Sequence, residues 1–147
     1  MSATTPYDAI FNRLVAQFGA TWPVIAWETI ETALQQGTTP FIAVDDGGGS
    51  SLLESIGSPA ANWILDTGAV VVHIFVPSTG SLSVARSIAD QVRAAMRYFY
   101  FPVPAGETMR CTNVDPPSDG VIHDGLWHSM MMPIDFEYRY VSPTAST

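Results

Sequence analysis

The sequence contains no lysine, and this absence limits the partners that the protein can have. Its six cationic residues are all arginines, which stand against fourteen acidic residues and give a net charge of −8. Binding to nucleic acid needs cations clustered along the phosphates, and docking on an anionic membrane needs a basic segment. The composition therefore argues against specific nucleic-acid binding and against a membrane-surface protein.

Cysteine is almost absent too. Cys111 is the one cysteine in 147 residues, so the chain cannot form an internal disulfide. Its strand-like surroundings predict a small buried hydrophobe rather than a nucleophile. No apolar run reaches the roughly 18–20 residues that span a bilayer, and no basic segment followed by an apolar block suggests a secretory signal. With 47% hydrophobic residues, we expect one domain, 1–147, with its own core.

The most regular stretch of the sequence changes its hydrophobic period from two to three or four. From 69 to 76 nearly every residue is apolar and most are β-branched, which predicts a central strand covered on both faces. Pro77 and the Ser-Thr-Gly run after it predict a turn. From 82 to 100 apolar residues recur at helical spacing, which predicts a helix capped by Ser81 and ended by the prolines that follow.

Shorter patterns predict the other regular elements. They are a helix over 7–18, strands over 39–45, 62–66 and 108–114, and a long strand over 126–140 with one buried and one wet face. We expect an α+β fold: a mostly antiparallel sheet of about four to five strands with two helices packed on one face.

Three polar or terminal segments are predicted to lie outside these elements. The glycine run 46–51 is expected to end a strand as a flexible loop, since it lacks the lysine of a phosphate-binding loop. The segment 115–120, DPPSDG, predicts a surface turn or the tip of a long hairpin. The ends, 1–6 and 142–147, are predicted to be disordered tails.

Histidine chemistry gives the strongest enzymatic hypothesis. His123 and Asp124 are adjacent and His128 follows five residues later, so a metal-dependent enzyme using these three is one alternative. Structural zinc spacing normally adds paired cysteines or two histidines one helical turn apart. His73 lies within the central strand, where packing is the simpler role. We therefore predict no catalytic residues, no metal and no cofactor.

Interface candidates come from the arginines and tryptophans. Arg86, Arg93 and Arg97 fall on one side of the predicted long helix, which indicates either a solvated face with Asp90 as partner or a contact with another chain. Trp22 and Trp27 flank an extended apolar segment that is expected to lie against the sheet or a neighbouring subunit.

The order of these segments resembles the small tail-terminator (tail-completion) proteins of long-tailed bacteriophages and gene transfer agents. The resemblance covers residues 7–140 and rests on five segments: TWPVIAWETIE, TPFIAVD, TGAVVVHIFVPSTG, ARSIADQVRAAMRYF and MPIDFEYRY. The loop 46–62 departs from the family, because it is longer and richer in glycine.

The resemblance implies a non-enzymatic structural virion protein. Such proteins form a ring, usually a hexamer, on the head-proximal end of the tail tube, where the ring stops tube growth and joins the head-side connector. The implied partners are further copies of the chain, the tube protein and the connector, with DNA passing through the ring. The implied location is the neck of the tail, after synthesis in the host bacterial cytoplasm. The alternatives are a small acidic binding or adaptor module and, less favoured, the metal-dependent enzyme.

Overall fold

The computed structural model describes residues 5–36, 39–53, 62–78, 82–123 and 127–142. The strands in these ranges are β1 (Val24–Ala26), β2 (Phe41–Leu53), β3 (Asn62–Pro77), β4 (Thr108–Val114), β5 (Ser118–His123) and β6 (Trp127–Ser142). The helices are α1 (Pro6–Phe18), α2 (Ile30–Gln36) and α3 (Leu82–Met96), with a short 3-10 helix at Trp27–Thr29. The chain thus has the predicted α+β fold.

The sheet is built around its two longest strands. Its order is β1-β2-β3-β6-β4, and β5 pairs with β6 as well. β3 and β6 have 16 residues each and pair over their whole length. All neighbours are antiparallel except β1 and β2, which run parallel. The predicted central strand is therefore confirmed, and it continues the predicted short strand 62–66 without a break.

The main core lies between the sheet and two helices on one face. Val70, Val72 and Ile74 of β3 point into it and are fully buried. α1 and α3 cover them with the apolar stripes that the sequence predicts, because three- and four-residue spacing places those side chains on one face of a helix. α1 begins with Pro6, and the Thr5 hydroxyl caps it by accepting from the Asp8 amide at 3.2 Å.

A second core covers the opposite face of the sheet, as the apolar central strand predicts, but the helix that packs on it was not predicted. The buried residues of this core are Phe41, Ala43, Phe75 and Trp127, and α2 packs on them through Ile30, Ala33 and Leu34. The Trp127 indole nitrogen donates to the Leu34 carbonyl at 3.0 Å, which joins α2 to the start of β6. The prediction of two helices on one face therefore omits α2, which lies on the other face. The face of β6 that was predicted to contact water is buried at Trp127 and Ser129.

The glycine run does not end a strand, contrary to the sequence prediction. β2 continues through it, with a bulge between Asp46 and Gly49. Gly48 has a φ of 81°, and a Cβ on Gly49 would lie 2.4 Å from the Thr67 carbonyl oxygen. Gly48 provides the left-handed conformation that the bulge requires, and Gly49 has no side chain to keep β2 and β3 apart.

The long helix ends earlier than predicted. α3 stops at Met96 rather than at residue 100, and Tyr98 adopts a left-handed φ of 58°. The Cys111 amide then donates to the Phe99 carbonyl at 3.0 Å, and the Phe101 amide donates to the Met109 carbonyl at 2.8 Å. Hydrogen bonds to β4 thus replace helical ones before the chain reaches the prolines. Ser81, the predicted cap, lies outside the described residues.

The predictions at the remaining loops are partly wrong. Within the predicted turn or hairpin tip 115–120, the last three residues already belong to β5, which continues to His123. Pro6 and Ser142, predicted to lie in disordered tails, belong to α1 and β6. Residues 1–4 and 143–147 lie outside the described ranges.

Candidate interaction surfaces

The three predicted interface arginines have different environments in the structure. The Arg93 Nε donates to the Val114 carbonyl at 2.9 Å, so Arg93 joins α3 to the end of β4. The Arg97 guanidinium lies 5.0 Å from the centre of the Tyr98 ring. Arg86 is exposed on the outer face of α3. In the described ranges the one ion pair joins Arg110 to Glu137, so the predicted partnership with Asp90 does not form.

This difference predicts unequal effects of two alanine substitutions on α3. Arg93→Ala is expected to lower the free energy of unfolding by about 1–2 kcal/mol, because the Val114 carbonyl loses a charged donor. Arg86→Ala, the matched control, is expected to change it by less than about 0.5 kcal/mol. Urea denaturation followed by circular dichroism measures both. Equal effects would mean that the Arg93 hydrogen bond contributes nothing to stability.

The two tryptophans pack within the chain and lie on opposite faces of the sheet. The Trp22 ring packs beside the main core, 5.9 Å from the Phe18 ring. The Trp27 ring packs beside the second core, 4.2 Å from the His73 ring. The five predicted interface residues therefore do not form one surface.

The predicted histidine site is only partly covered by the described residues. His123 pairs with Trp127 and His128 pairs with Ile122 along β5 and β6, while Asp124 lies outside the described ranges. No group of three or more His, Cys, Asp or Glu residues in those ranges is arranged to hold a metal. Cys111 is buried, and burial raises the pKa of its thiol to about 12, so the sulfur stays protonated at neutral pH.

Two pairs of arginine and tyrosine lie where the chain leaves α3 and reaches β4: Arg97 contacts Tyr98, and Arg110 contacts Tyr100. We call Arg97, Tyr98, Tyr100 and Arg110 the Arg–Tyr patch. The Tyr98 and Tyr100 side chains are 60% and 59% exposed. Arg110 donates to the Tyr100 hydroxyl and to Glu137, both at 3.1 Å. The patch was not predicted, because the helical pattern in the sequence extends over 97–100.

A groove with acidic walls lies between the start of α1 and the glycine bulge of β2. It encloses about 480 Å³ and is lined by carboxylates, by the bulge backbone and by a few apolar side chains. We call it the acidic groove. Its principal side chains are Tyr7, Glu28, Asp46, Asp66 and Phe136. No arginine in the described ranges forms an ion pair with these carboxylates.

Tyr7 lines this groove, and its pKa is affected by burial and by the nearby carboxylates. Its hydroxyl donates to the Val44 carbonyl at 3.1 Å. Burial, and then the negative potential of nearby carboxylates beginning with Glu28, raise the pKa of Tyr7. The carboxylates that line the groove favour a cationic group there over an anionic one.

The two edges of the sheet differ. At one edge, residues 99–101 hydrogen-bond to β4, and β5 covers the adjoining part of β6. At the other edge, β1 pairs only with Ile42–Val44, so β2 from Asp45 to Leu53 has no outer partner in the described part of the chain. The Arg–Tyr patch lies at the covered edge, and the acidic groove lies at the open one.

These features define a small α+β protein with two notable surface features, the Arg–Tyr patch and the acidic groove. Protein-family models give no match, and characterised proteins give none. Ten solved chains match, and one of them, which has no descriptive name, has a TM-score of 0.58 and 14% identity over 90% of this chain and 92% of that one. At this identity the similarity shows the fold alone. No helix within the described ranges is long and apolar enough to cross a membrane.

Proposed function

We propose that this protein is a non-enzymatic tail terminator of a phage-like particle. It forms a ring on the head-proximal end of the tail tube, ends polymerisation of the tube and joins the tail to the head-side connector. The observation that carries the proposal is the difference between the two sheet edges, one covered and bearing arginines, the other open and bearing carboxylates.

This difference matters because a ring needs a head-to-tail contact between two unlike surfaces. A two-fold dimer uses the same surface twice, whereas a ring joins one surface to a different one on the next copy. The open edge of β2 leaves backbone donors and acceptors free for a partner. The two edges of the sheet thus carry two different surfaces, as a head-to-tail contact requires.

The quoted sequence segments also support the proposal, because they form the centre of the fold. The Pro-led segment becomes β2, the Gly-hydrophobic segment becomes β3, and the last becomes most of β6, with α3 packed on them. The net charge of −8 suits a ring through which DNA passes without being held. The proposed partners are further copies, the tube protein and the connector at the neck of the tail.

The test has two stages. Light scattering and electron microscopy of the purified protein should show rings, with a hexamer containing six copies of the 15.9 kDa chain. Deleting the gene in a strain that produces the particles should give abnormally long tubes or tails that fail to join heads, and the restored gene should reverse this. A protein that stays monomeric at all concentrations, or a deletion that leaves particles normal, would overturn the proposal.

A further inference from the structure

We infer that the Arg–Tyr patch of one copy docks into the acidic groove of the next copy. The inference rests on the proposed ring and names the two surfaces that meet in it. The bound partner is thus a second copy of this chain.

The Arg–Tyr patch has the composition of an interface centre. Tyrosine and arginine are the residues that, with tryptophan, most often dominate binding energy, because they bring large, fairly rigid surfaces and several donors. In this patch both tyrosine rings remain more than half exposed. Intramolecular packing therefore leaves most of their surface available to a partner.

Tyr98 adds a separate observation. Its φ of 58° is in the left-handed region, which costs a residue with a Cβ some free energy. Glycine would adopt this conformation without that cost. The strained turn instead carries an aromatic ring that is 60% exposed. Strained residues tend to occur at functional sites, and here the strain presents a ring to the surroundings.

The acidic groove complements this patch in charge and in surface character. Glu28, Asp46 and Asp66 provide carboxylates, while Phe136 and Tyr7 provide aromatic surface. Its volume of about 480 Å³ accommodates an aromatic ring with a guanidinium beside it. Arg97 makes no ion pair in the described ranges, so it is available to these carboxylates.

The positions of the two surfaces fit a ring rather than a pair. The patch lies beyond β4 and the groove lies beside β2, at opposite edges of one sheet. A copy that docks its patch into a neighbour leaves its own groove free for a third copy. Repetition of this contact gives a closed ring or an open filament, depending on the rotation between copies.

Charge reversal on each surface tests the contact. Arg97→Glu should weaken self-association by about 30-fold or more, because the patch then meets the carboxylates of the groove with like charge. Glu28→Arg should weaken it to a similar extent, because the groove then repels the arginines of the patch. Analytical ultracentrifugation measures the association, and circular dichroism shows whether each variant is folded.

An equal mixture of these two variants gives the decisive result. In an alternating ring, the Glu at position 97 meets the Arg at position 28, and the unchanged surfaces meet at the next contact. Assembly of the mixture should therefore return to within a few-fold of the wild type. A purely local effect on folding would not be repaired by mixing.

Two further charge reversals act as controls, and a third variant tests Tyr98. Arg86→Glu reverses a charge on α3, about 16 Å from Arg97. Glu31→Arg reverses an exposed charge on α2 that does not line the groove. Both should associate within about three-fold of the wild type. Tyr98→Gly should keep or raise thermal stability by relieving the left-handed strain, and yet weaken association by about ten-fold or more.

The outcomes separate this inference from the proposed function. A wild-type protein that never self-associates overturns both. A wild-type ring whose assembly survives the single reversals, or is lost and not restored in the mixture, overturns the inference and leaves the ring intact.

Discussion

Replacing Phe75 with alanine is expected to lower the free energy of unfolding by about 3–5 kcal/mol, as for aromatic residues truncated in a core. Phe75 is fully buried on β3. Its ring stacks on Phe41 at 4.8 Å and lies 6.3 Å from the Trp27 ring. The truncation removes the centre of the second core, which α2 covers. Urea denaturation followed by tryptophan fluorescence measures the loss.

Met131→Ala provides a matched control on the same face of the sheet. Met131 lies opposite His73, the next residue along that face of β3, and its side chain is 38% exposed. Its truncation is expected to cost less than about 1 kcal/mol, because little buried surface is lost. If the two substitutions were equally costly, the second core could not be a packed layer with Phe75 at its centre.

Adding one methyl group at Gly68 is the second substitution expected to have a large effect. A Cβ on Gly68 would lie 2.3 Å from the Gly48 oxygen and 2.7 Å from the Gly49 Cα. Both are backbone atoms and cannot move aside as a flexible side chain does. Gly68→Ala is therefore expected to lower the free energy of unfolding by about 2–3 kcal/mol, measured by urea denaturation.

Gly48→Ala separates steric overlap from backbone conformation. No atom lies within 4 Å of a Cβ placed on Gly48, but its φ is 81°. The substitution should cost only about 1 kcal/mol, the penalty for a left-handed alanine. A smaller loss at Gly68 than at Gly48 would contradict the close approach of β2 and β3. The bulge also lines the acidic groove, so Gly68→Ala is expected to weaken self-association as well.

Most regular elements of the main core could be predicted from the sequence, because their patterns are local. Alternation of apolar residues specifies which face of a strand is buried, and three- to four-residue spacing specifies the buried stripe of a helix. These periods located α1, the central part of β3, α3, β4 and β6. The same reasoning gave the α+β class, since such elements must cover one another's apolar faces.

The elements that sequence analysis missed depend on distant partners. β2 continues through three glycines because β3 holds its backbone across the bulge. The short α2 lacks a long periodic pattern and is stabilised by packing on the second core. α3 ends at Met96 because Phe99 and Phe101 bond to β4. None of these contacts is visible in a local window of sequence.

Some features of the candidate surfaces also follow from the sequence, and others follow only from the tertiary structure. The sequence by itself determined the shortage of cations, the single cysteine and the arginines on α3, because these follow from composition and helical spacing. The tertiary structure alone decided that Arg93 contacts Val114. It also decided that the tyrosines beside Arg97 are exposed and that carboxylates from separate segments line one groove. The physical reason is that a surface is formed by residues far apart in the chain, and only packing brings them together.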